Sequence, residues 1–96
     1  MKTHFDTNFL EDSTETLRAI AHPIRIAIID LLYSNGRMTV TDIYKQLKIE
    51  QAIASHHLRI LKNKRVVAAQ REGKNAYYSL TNEDFYEIVQ TLAKVI

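Results

Sequence analysis

The sequence predicts an α+β domain that is mostly α, with about five helices and a two-stranded β-hairpin. Two observations predict this fold class. Apolar residues recur at helical spacing along most of the chain. Before the last helix, two short segments with inward-facing residues at every second position flank a glycine-containing turn, as in a β-hairpin. The 96 residues are 46% apolar and include one Pro and two Gly. We therefore expect a single compact domain over residues 1–96.

Charge is distributed unevenly along the chain. Residues 45–74 contain eight Lys or Arg against two acids, a net of +6, and the other residues contain five against nine, a net of −4. A basic segment on an acidic body is typical of a surface that binds a polyanion, and a solvated lysine-rich surface gives the same count. Charge alone leaves both interpretations open.

Two helices are predicted in the first third of the chain. The first covers Asn8–Ala21, and the second begins at Pro23, where the missing N–H of proline costs no hydrogen bond. The second helix, PIRIAIIDLLY, is apolar at almost every angle, which predicts a central position. Asn35 and Gly36 end it.

A helix-turn-helix is predicted over residues 39–63. The tetrapeptide TVTD fits a capping box, in which the Thr39 hydroxyl and the Asp42 carboxylate each accept a backbone N–H. It opens a short helix, and only residues 48–50 separate that helix from the next one. Helices joined by so few residues must cross sharply, as they do in a helix-turn-helix.

Adjacent histidines in the second helix of this pair fall on opposite faces. At about 100° per residue and counted from Gln51 at zero, the arc up to roughly 140° is polar or small, and the arc from roughly 180° to 340° is apolar apart from Lys64 near the helix end. His57 falls in the apolar arc, so we expect a neutral core histidine held by a hydrogen bond. The polar arc contains a strip of hydrogen-bonding side chains: Gln51, Ser55, His56 and Arg59.

This strip has the chemistry of a base-reading surface. Arg and Gln side chains pair bidentately with base edges, and Ser or His reaches a base or a phosphate. An ordinary solvated face would more often pair Glu with Lys four residues apart, and no acid follows Glu50 in this helix. The pattern favours a helix that enters the major groove of DNA.

A hairpin is predicted over residues 66–80. Its strands are Val66–Arg71 and Ala76–Leu80, and the Gly and Asn between them suit a tight turn. Arg71 and Lys74 would then lie near the exposed tip, where they can contact phosphates or reach the minor groove. For Lys74 an ordinary surface loop is the alternative.

The terminal helices, 8–21 and 82–96, are predicted to pack against a second copy of the chain. Thr81 or Asn82 caps the last helix, whose apolar residues fill about half its circumference. That stripe is wider than one small core needs. The predicted interface residues are Phe9, Leu10, Leu17, Phe85, Ile88, Val89, Leu92 and Ile96.

The chain resembles the ArsR family of bacterial winged-helix repressors over about residues 15–96. Its motifs follow in the family's order: AHPIR at residues 21–25, SHHL at 55–58, REGK at 71–74 and YYSL at 77–80. The resemblance implies a winged helix-turn-helix homodimer that binds an imperfect palindrome in double-stranded DNA and represses transcription. Many members release DNA when an inducer binds, and the resemblance identifies no inducer for this chain.

The resemblance also assigns site residues by position. Thr39 and Thr41, at the start of the first helix of the pair, would contact backbone phosphates. The hairpin would be the wing that flanks the second helix. The implied DNA contacts in the second helix and the wing are Gln51, Ser55, His56, Arg59, Arg71 and Lys74.

The chain departs from the family's metal sensors and redox sensors. Metal-sensing relatives place cysteines before the recognition helix or Asp/His pairs on the last helix, whereas this chain has no cysteine and no histidine in its last helix. His4 and His22 lack an evident co-ligand, so we predict no metal and no other cofactor. Arg65 stands where the family often has glycine, which makes Asn63 the candidate for a left-handed residue.

Other functions are less well supported. The sequence has no paired carboxylates in an apolar segment, no Gly-rich phosphate loop and no nucleophile with a base, so we predict that it is not an enzyme. No apolar run reaches the roughly 18 residues of a membrane span, so we expect a cytoplasmic protein with no membrane partner. The alternative to a DNA-binding regulator is a winged-helix interaction module whose basic face binds an acidic partner.

Overall fold

The computed structural model describes residues 2–96 and contains five helices and three strands. Their order is α1 (Thr7–Ile20), α2 (Pro23–Asn35), β1 (Met38–Thr39), α3 (Val40–Leu47), α4 (Gln51–Asn63), β2 (Val67–Glu72), β3 (Asn75–Leu80) and α5 (Asp84–Val95). The predicted fold class, mostly helical with a hairpin, is confirmed. None of the helices in this part of the chain is both long and apolar enough to span a membrane.

Local side-chain chemistry sets the helix boundaries. Asp6 accepts the Phe9 N–H at 2.8 Å and so begins α1. His22, to which sequence analysis assigned no role, begins α2 because its Nδ1 accepts the Ile24 N–H at 3.1 Å. Gly36 ends α2 with a φ of 83°, a value that a side chain disfavours.

The core forms around α2, as its all-round apolar sequence predicts. Helix α4 contributes Ala54, Leu58 and Leu61 to this core, whereas β3 and α5 contribute only partly buried side chains. The largest fully buried residues are Ile28, Ile29, Leu32, Ile43, Leu58, Leu61, Val66 and Val67. The helix-turn-helix and the hairpin are therefore held by one hydrophobic cluster.

The sheet has three strands, one more than predicted. The order is β1-β3-β2, all antiparallel, and Met38 and Thr39 of β1 pair with Tyr78 and Tyr77 of β3. A strand of two residues is too short to show alternation in sequence, which is why β1 was not predicted. This strand joins the hairpin directly to the start of α3.

The hairpin turn is tighter than predicted. Glu72 pairs with Asn75, so the loop contains only Gly73 and Lys74 rather than four residues. Gly73 has a φ of 61° and Lys74 does not have a positive φ, the arrangement that a type II′ turn requires. Lys74 therefore occupies the tip itself.

The prediction that Asn63 is left-handed was wrong. Asn63 is the last residue of α4, and Arg65 adopts the left-handed conformation with a φ of 58°. The N–H groups of Arg65 and Val66 donate to the carbonyls of Lys62 and Leu61, at 3.0 and 2.9 Å. These are the two bonds of a Schellman motif, in which the left-handed position follows the helix cap, here Lys64.

The loop after α4 is also held by the end of β3. The Thr81 hydroxyl donates to the carbonyl of Arg65 at 2.6 Å, and the Thr81 N–H donates to that of Val66 at 3.1 Å. Thr81 therefore does not cap α5. The N-cap residue of α5 is Glu83, which makes no side-chain cap bond, and of the two predicted residues Asn82 is the one that accepts an N–H of the helix, that of Asp84 at 2.8 Å.

Candidate nucleic-acid interface

The helical phase predicted for α4 agrees with the structure. Ala54, His57, Leu58 and Leu61 are buried, and the polar side of the helix is exposed. Ile53 differs, since it was expected on the buried side and 39% of its surface is exposed. The predicted DNA-contacting residues of α4 all lie on the exposed side: Gln51, Ser55, His56 and Arg59.

Two of these side chains contact each other. Nη2 of Arg59 and Nδ1 of His56 lie 3.3 Å apart. A guanidinium has donors and no acceptor, so Arg59 donates and His56 accepts at an unprotonated Nδ1. The contact aligns both polar groups on one turn of the exposed face, and the remaining guanidinium N–H groups stay available to a ligand.

His57 is a core residue, as predicted, with 7% of its surface exposed. Its ring packs on that of His22, with 4.2 Å between ring centroids. The predicted hydrogen bond was wrong at Nδ1, which is buried without a hydrogen-bond partner among residues 2–96. Burial, with the nearby His22, His56 and Arg25, lowers the pKa of His57 and favours the neutral ring.

The predicted wing residues are exposed. Arg71 lies on β2 opposite Ala76, and Lys74 lies in the turn. Glu72, the acid beside them, forms an ion pair with Arg37, in which Nη1 and Oε2 are 2.6 Å apart. This pair compensates the negative charge closest to the wing tip.

Sequence reasoning missed Arg37. Its guanidinium carbon lies 4.2 Å from the centroid of the Tyr77 ring, in addition to its contact with Glu72. Arg37 directly precedes β1, far from the hairpin along the chain, and β1 itself was not predicted. The one signal that could have pointed to it is the lone acid in the basic hairpin, because a carboxylate attracts a nearby cation.

The two threonines predicted to contact phosphates begin α3. Thr39 is half-buried, and its hydroxyl accepts the Asp42 N–H at 3.1 Å, completing the predicted capping box. The hydroxyl hydrogen of Thr39 is therefore still able to donate to another group. Thr41 is exposed one residue into the helix. Because Thr39 pairs with Tyr77, this helix start lies beside the wing.

The predicted dimer residues divide into two groups. Phe85 and Val89 pack against the chain's own core, and Leu10 is half-buried. The others are exposed, with Leu17 at 52% and Leu92 at 45%. An apolar groove with Leu17 and Ile88 in its lining runs between α1 and α5. The large exposed apolar residues of α1, of α5 and of the position after α5 are Phe9, Leu17, Ile88, Leu92, Val95 and Ile96.

Within residues 2–96, no group of three or more His, Asp or Glu side chains is arranged to hold a metal ion. The site described here consists of hydrogen-bonding and basic side chains on α4, the start of α3 and the wing.

Comparison with known proteins gives consistent similarities. The sequence model described as "Bacterial regulatory protein, arsR family" matches residues 22–69. The transcriptional repressor PagR of Bacillus anthracis is 37% identical over 83 residues, which are 86% of this chain and 83% of PagR. The transcriptional repressor SdpR of Bacillus subtilis is 44% identical over 63 residues, 66% of this chain and 69% of SdpR.

Solved structures agree with this similarity. The crystal structure of PagR superposes with a TM-score of 0.81 at 36% identity and covers 91% of this chain and 99% of that one. The homodimeric winged helix-turn-helix DNA-binding domain (fragment 1–100) of a possible ArsR-family regulator from Mycobacterium bovis gives 0.82 at 28% identity. That match covers 97% of this chain and 88% of the other.

Proposed function

The chain belongs to the arsR family of bacterial regulatory proteins, and we propose that it is a homodimeric repressor that binds a specific sequence in double-stranded DNA. The observation that carries this proposal is the exposed polar face of α4. Four hydrogen-bonding side chains line it, and the apolar residues of the same helix form the opposite, buried face.

In the proposed complex, α4 is the recognition helix and lies in the major groove. Arg59 and Gln51 have the donor and acceptor patterns that pair bidentately with guanine and adenine edges, and Ser55 and His56 reach a base or a phosphate. The small exposed Ala52 allows the helix to approach the bases closely. Because the side chains of Arg59 and His56 already contact each other, part of the ordering cost is met before DNA binds.

The phosphate contacts proposed around this helix set its register. Thr39 and Thr41 lie at the N-terminus of α3, where backbone N–H groups and hydroxyls suit an anion. Arg71 and Lys74 are exposed on the wing and suit the phosphates or the minor groove. The net charge of +6 over residues 45–74 favours the approach of DNA to this side.

The proposed dimer covers the exposed apolar residues of α1 and α5. None of the twelve residues of α5 is fully buried in the single chain, although three of them pack against the core. A twofold pairing of this surface would bury Leu17, Ile88 and Leu92. Two recognition helices would then face successive major grooves of an imperfect palindrome, with half-sites roughly one helical turn apart.

Selection from random DNA tests this proposal. The purified full chain should enrich one inverted repeat, and its affinity for that repeat should fall steeply with salt because counterions are released from phosphates. A variant with Gln51→Ala, Ser55→Ala and Arg59→Ala should enrich no sequence. The Arg18→Ala variant, which removes an exposed arginine from α1, should select the same repeat as the parent chain. Binding that ignores sequence and salt would contradict the proposal and favour an interaction module.

A further inference from the structure

We infer that Arg37 is a positioning residue for DNA binding. Its contacts with Glu72 and Tyr77, which we call the Arg37 bridge, hold the wing in a fixed orientation beside α4, and Arg37 itself makes no DNA contact. The effect on DNA binding rests on the proposed function. The effect on the wing does not, since it is a property of the chain alone.

The wing extends beyond the part of the sheet that anchors it. Strand β1 pairs only with Tyr77 and Tyr78 of β3, so residues 71–76 pair solely with each other across the hairpin. All of these residues are exposed except Ala76, which is partly buried. A two-stranded ribbon is only marginally stable by itself in water. The distal wing therefore needs another contact to keep one orientation.

The Arg37 bridge provides that contact. Glu72 lies at the end of β2 beside the turn, and Tyr77 lies on β3, so the arginine contacts both strands of the hairpin. Among the ion pairs of residues 2–96, it is the one that joins the wing to the body of the domain. The planar guanidinium can bind a carboxylate and stack on an aromatic ring at once, and it suits this geometry better than the compact ammonium of lysine.

The Arg37 bridge contributes more to the orientation of the wing than to the stability of the folded domain. The side chains of Arg37 and Glu72 are about half exposed, at 51% and 45%, and an exposed ion pair adds little to stability. The wing tip carries Lys74, whose phosphate contact depends on where the tip lies. Loss of Arg37 should therefore change wing order and DNA affinity while the domain stays folded.

The first test uses the chain without DNA. In Arg37→Ala, the ¹⁵N heteronuclear NOE of the Gly73 and Lys74 amides should fall, and the melting temperature should change little. The control Arg18→Ala removes an arginine that pairs with Glu15 at 3.4 Å on α1, and the NOE of the wing should be unchanged in it. An unaltered NOE in Arg37→Ala would overturn the inference, whether or not the chain binds DNA.

The second test separates positioning from a direct phosphate contact. Arg37→Ala should weaken binding to the selected repeat by roughly three- to tenfold with the salt slope unchanged. The reversed pair Arg37→Glu with Glu72→Arg restores the ion pair without the stacking on Tyr77, and it should recover part of the NOE and part of the affinity. A salt slope that falls by about one in Arg37→Ala, with no rescue by the reversed pair, would show a direct contact and contradict the inference. If the parent chain selected no DNA, the proposed function would fail, and the NOE would still decide whether Arg37 orders the wing.

Discussion

The imidazole ring of His57 lies 4.2 Å from that of His22, measured between centroids, and the two planes are inclined by 37°. This contact joins α4 to the N-cap of α2, where His22 also accepts a backbone N–H. His56, the next residue along α4, is exposed and contacts Arg59 instead. The two neighbouring histidines therefore serve different purposes, one in folding and one at the surface.

Alanine substitutions should separate these two purposes. His57→Ala removes a buried ring that packs on His22, and we expect the free energy of unfolding to fall by about 1–3 kcal/mol. His56→Ala should leave the unfolding free energy within about 0.5 kcal/mol and weaken DNA binding. Chemical denaturation and DNA-binding titrations of both variants check this. The reverse pattern would mean that the face of α4 assigned to DNA is wrong.

Stability should depend on pH through His57. Its folded-state pKa lies below the ordinary 6.5, chiefly because of burial, so below that pH the unfolded chain binds more protons than the folded one. The melting temperature should therefore fall as the pH drops from about 7.5 to about 5.5, a range that brackets the ordinary pKa of histidine. His57→Leu should reduce this fall, and the exposed His4→Asn should keep it. An equal fall in His57→Leu and the parent chain would contradict the assignment.

Arg65 should be a position where glycine stabilises the fold. Its φ of 58° is disfavoured by a side chain, and the Schellman bonds that impose it do not involve the guanidinium. We expect Arg65→Gly to raise the unfolding free energy by roughly 0.5–1 kcal/mol and Arg65→Val to lower it. Urea denaturation of the three proteins provides the measurement. A less stable Arg65→Gly variant would show that the side chain, rather than the backbone, stabilises this loop.

A charge placed on the exposed apolar surface should prevent dimer formation. Leu92→Glu puts a carboxylate among the side chains proposed to meet the partner, and burying it there without a cation would be costly. Sedimentation should show a monomer at concentrations where the parent chain is a dimer. Gln90→Glu adds the same charge at an exposed position about 160° away on α5 and should remain dimeric. A dimeric Leu92→Glu variant would place the interface elsewhere.

Features that depend on neighbouring residues could be predicted from the sequence. Pro23 and Gly36 mark the ends of α2, and Thr39 with Asp42 forms the capping box, because each acts on backbone groups within a few residues. The two faces of α4 follow from helical spacing alone. These local features were enough to identify the helix-turn-helix and the polar face proposed to read DNA.

Features that depend on residues far apart in the chain could not be predicted in this way. Strand β1 exists because Met38 and Thr39 meet β3 across the fold, and two residues show no periodicity. The Arg37 bridge depends on that same meeting. The left-handed Arg65 was missed because the residue type argues against it, whereas the distant Thr81, which donates to the carbonyls of Arg65 and Val66, helps to hold the loop in this conformation. In each case, tertiary contacts outweighed local preference.

The most direct test of the account is a double-mutant cycle between Arg59 and the major-groove edge of single purines in the selected repeat. Each purine is replaced in turn by its 7-deaza analogue, which lacks the N7 acceptor, and binding is measured for the parent chain and for Arg59→Ala. We expect Arg59→Ala to cost about 1–3 kcal/mol, and this cost to shrink on DNA that lacks N7 at one purine of each half-site. The comparison variant Lys74→Ala should weaken binding to all of these DNAs equally and reduce the salt slope by about one. If the losses from Arg59→Ala and from every 7-deaza purine were simply additive, Arg59 would not read a purine through N7, and the proposed orientation of α4 in the major groove would be contradicted.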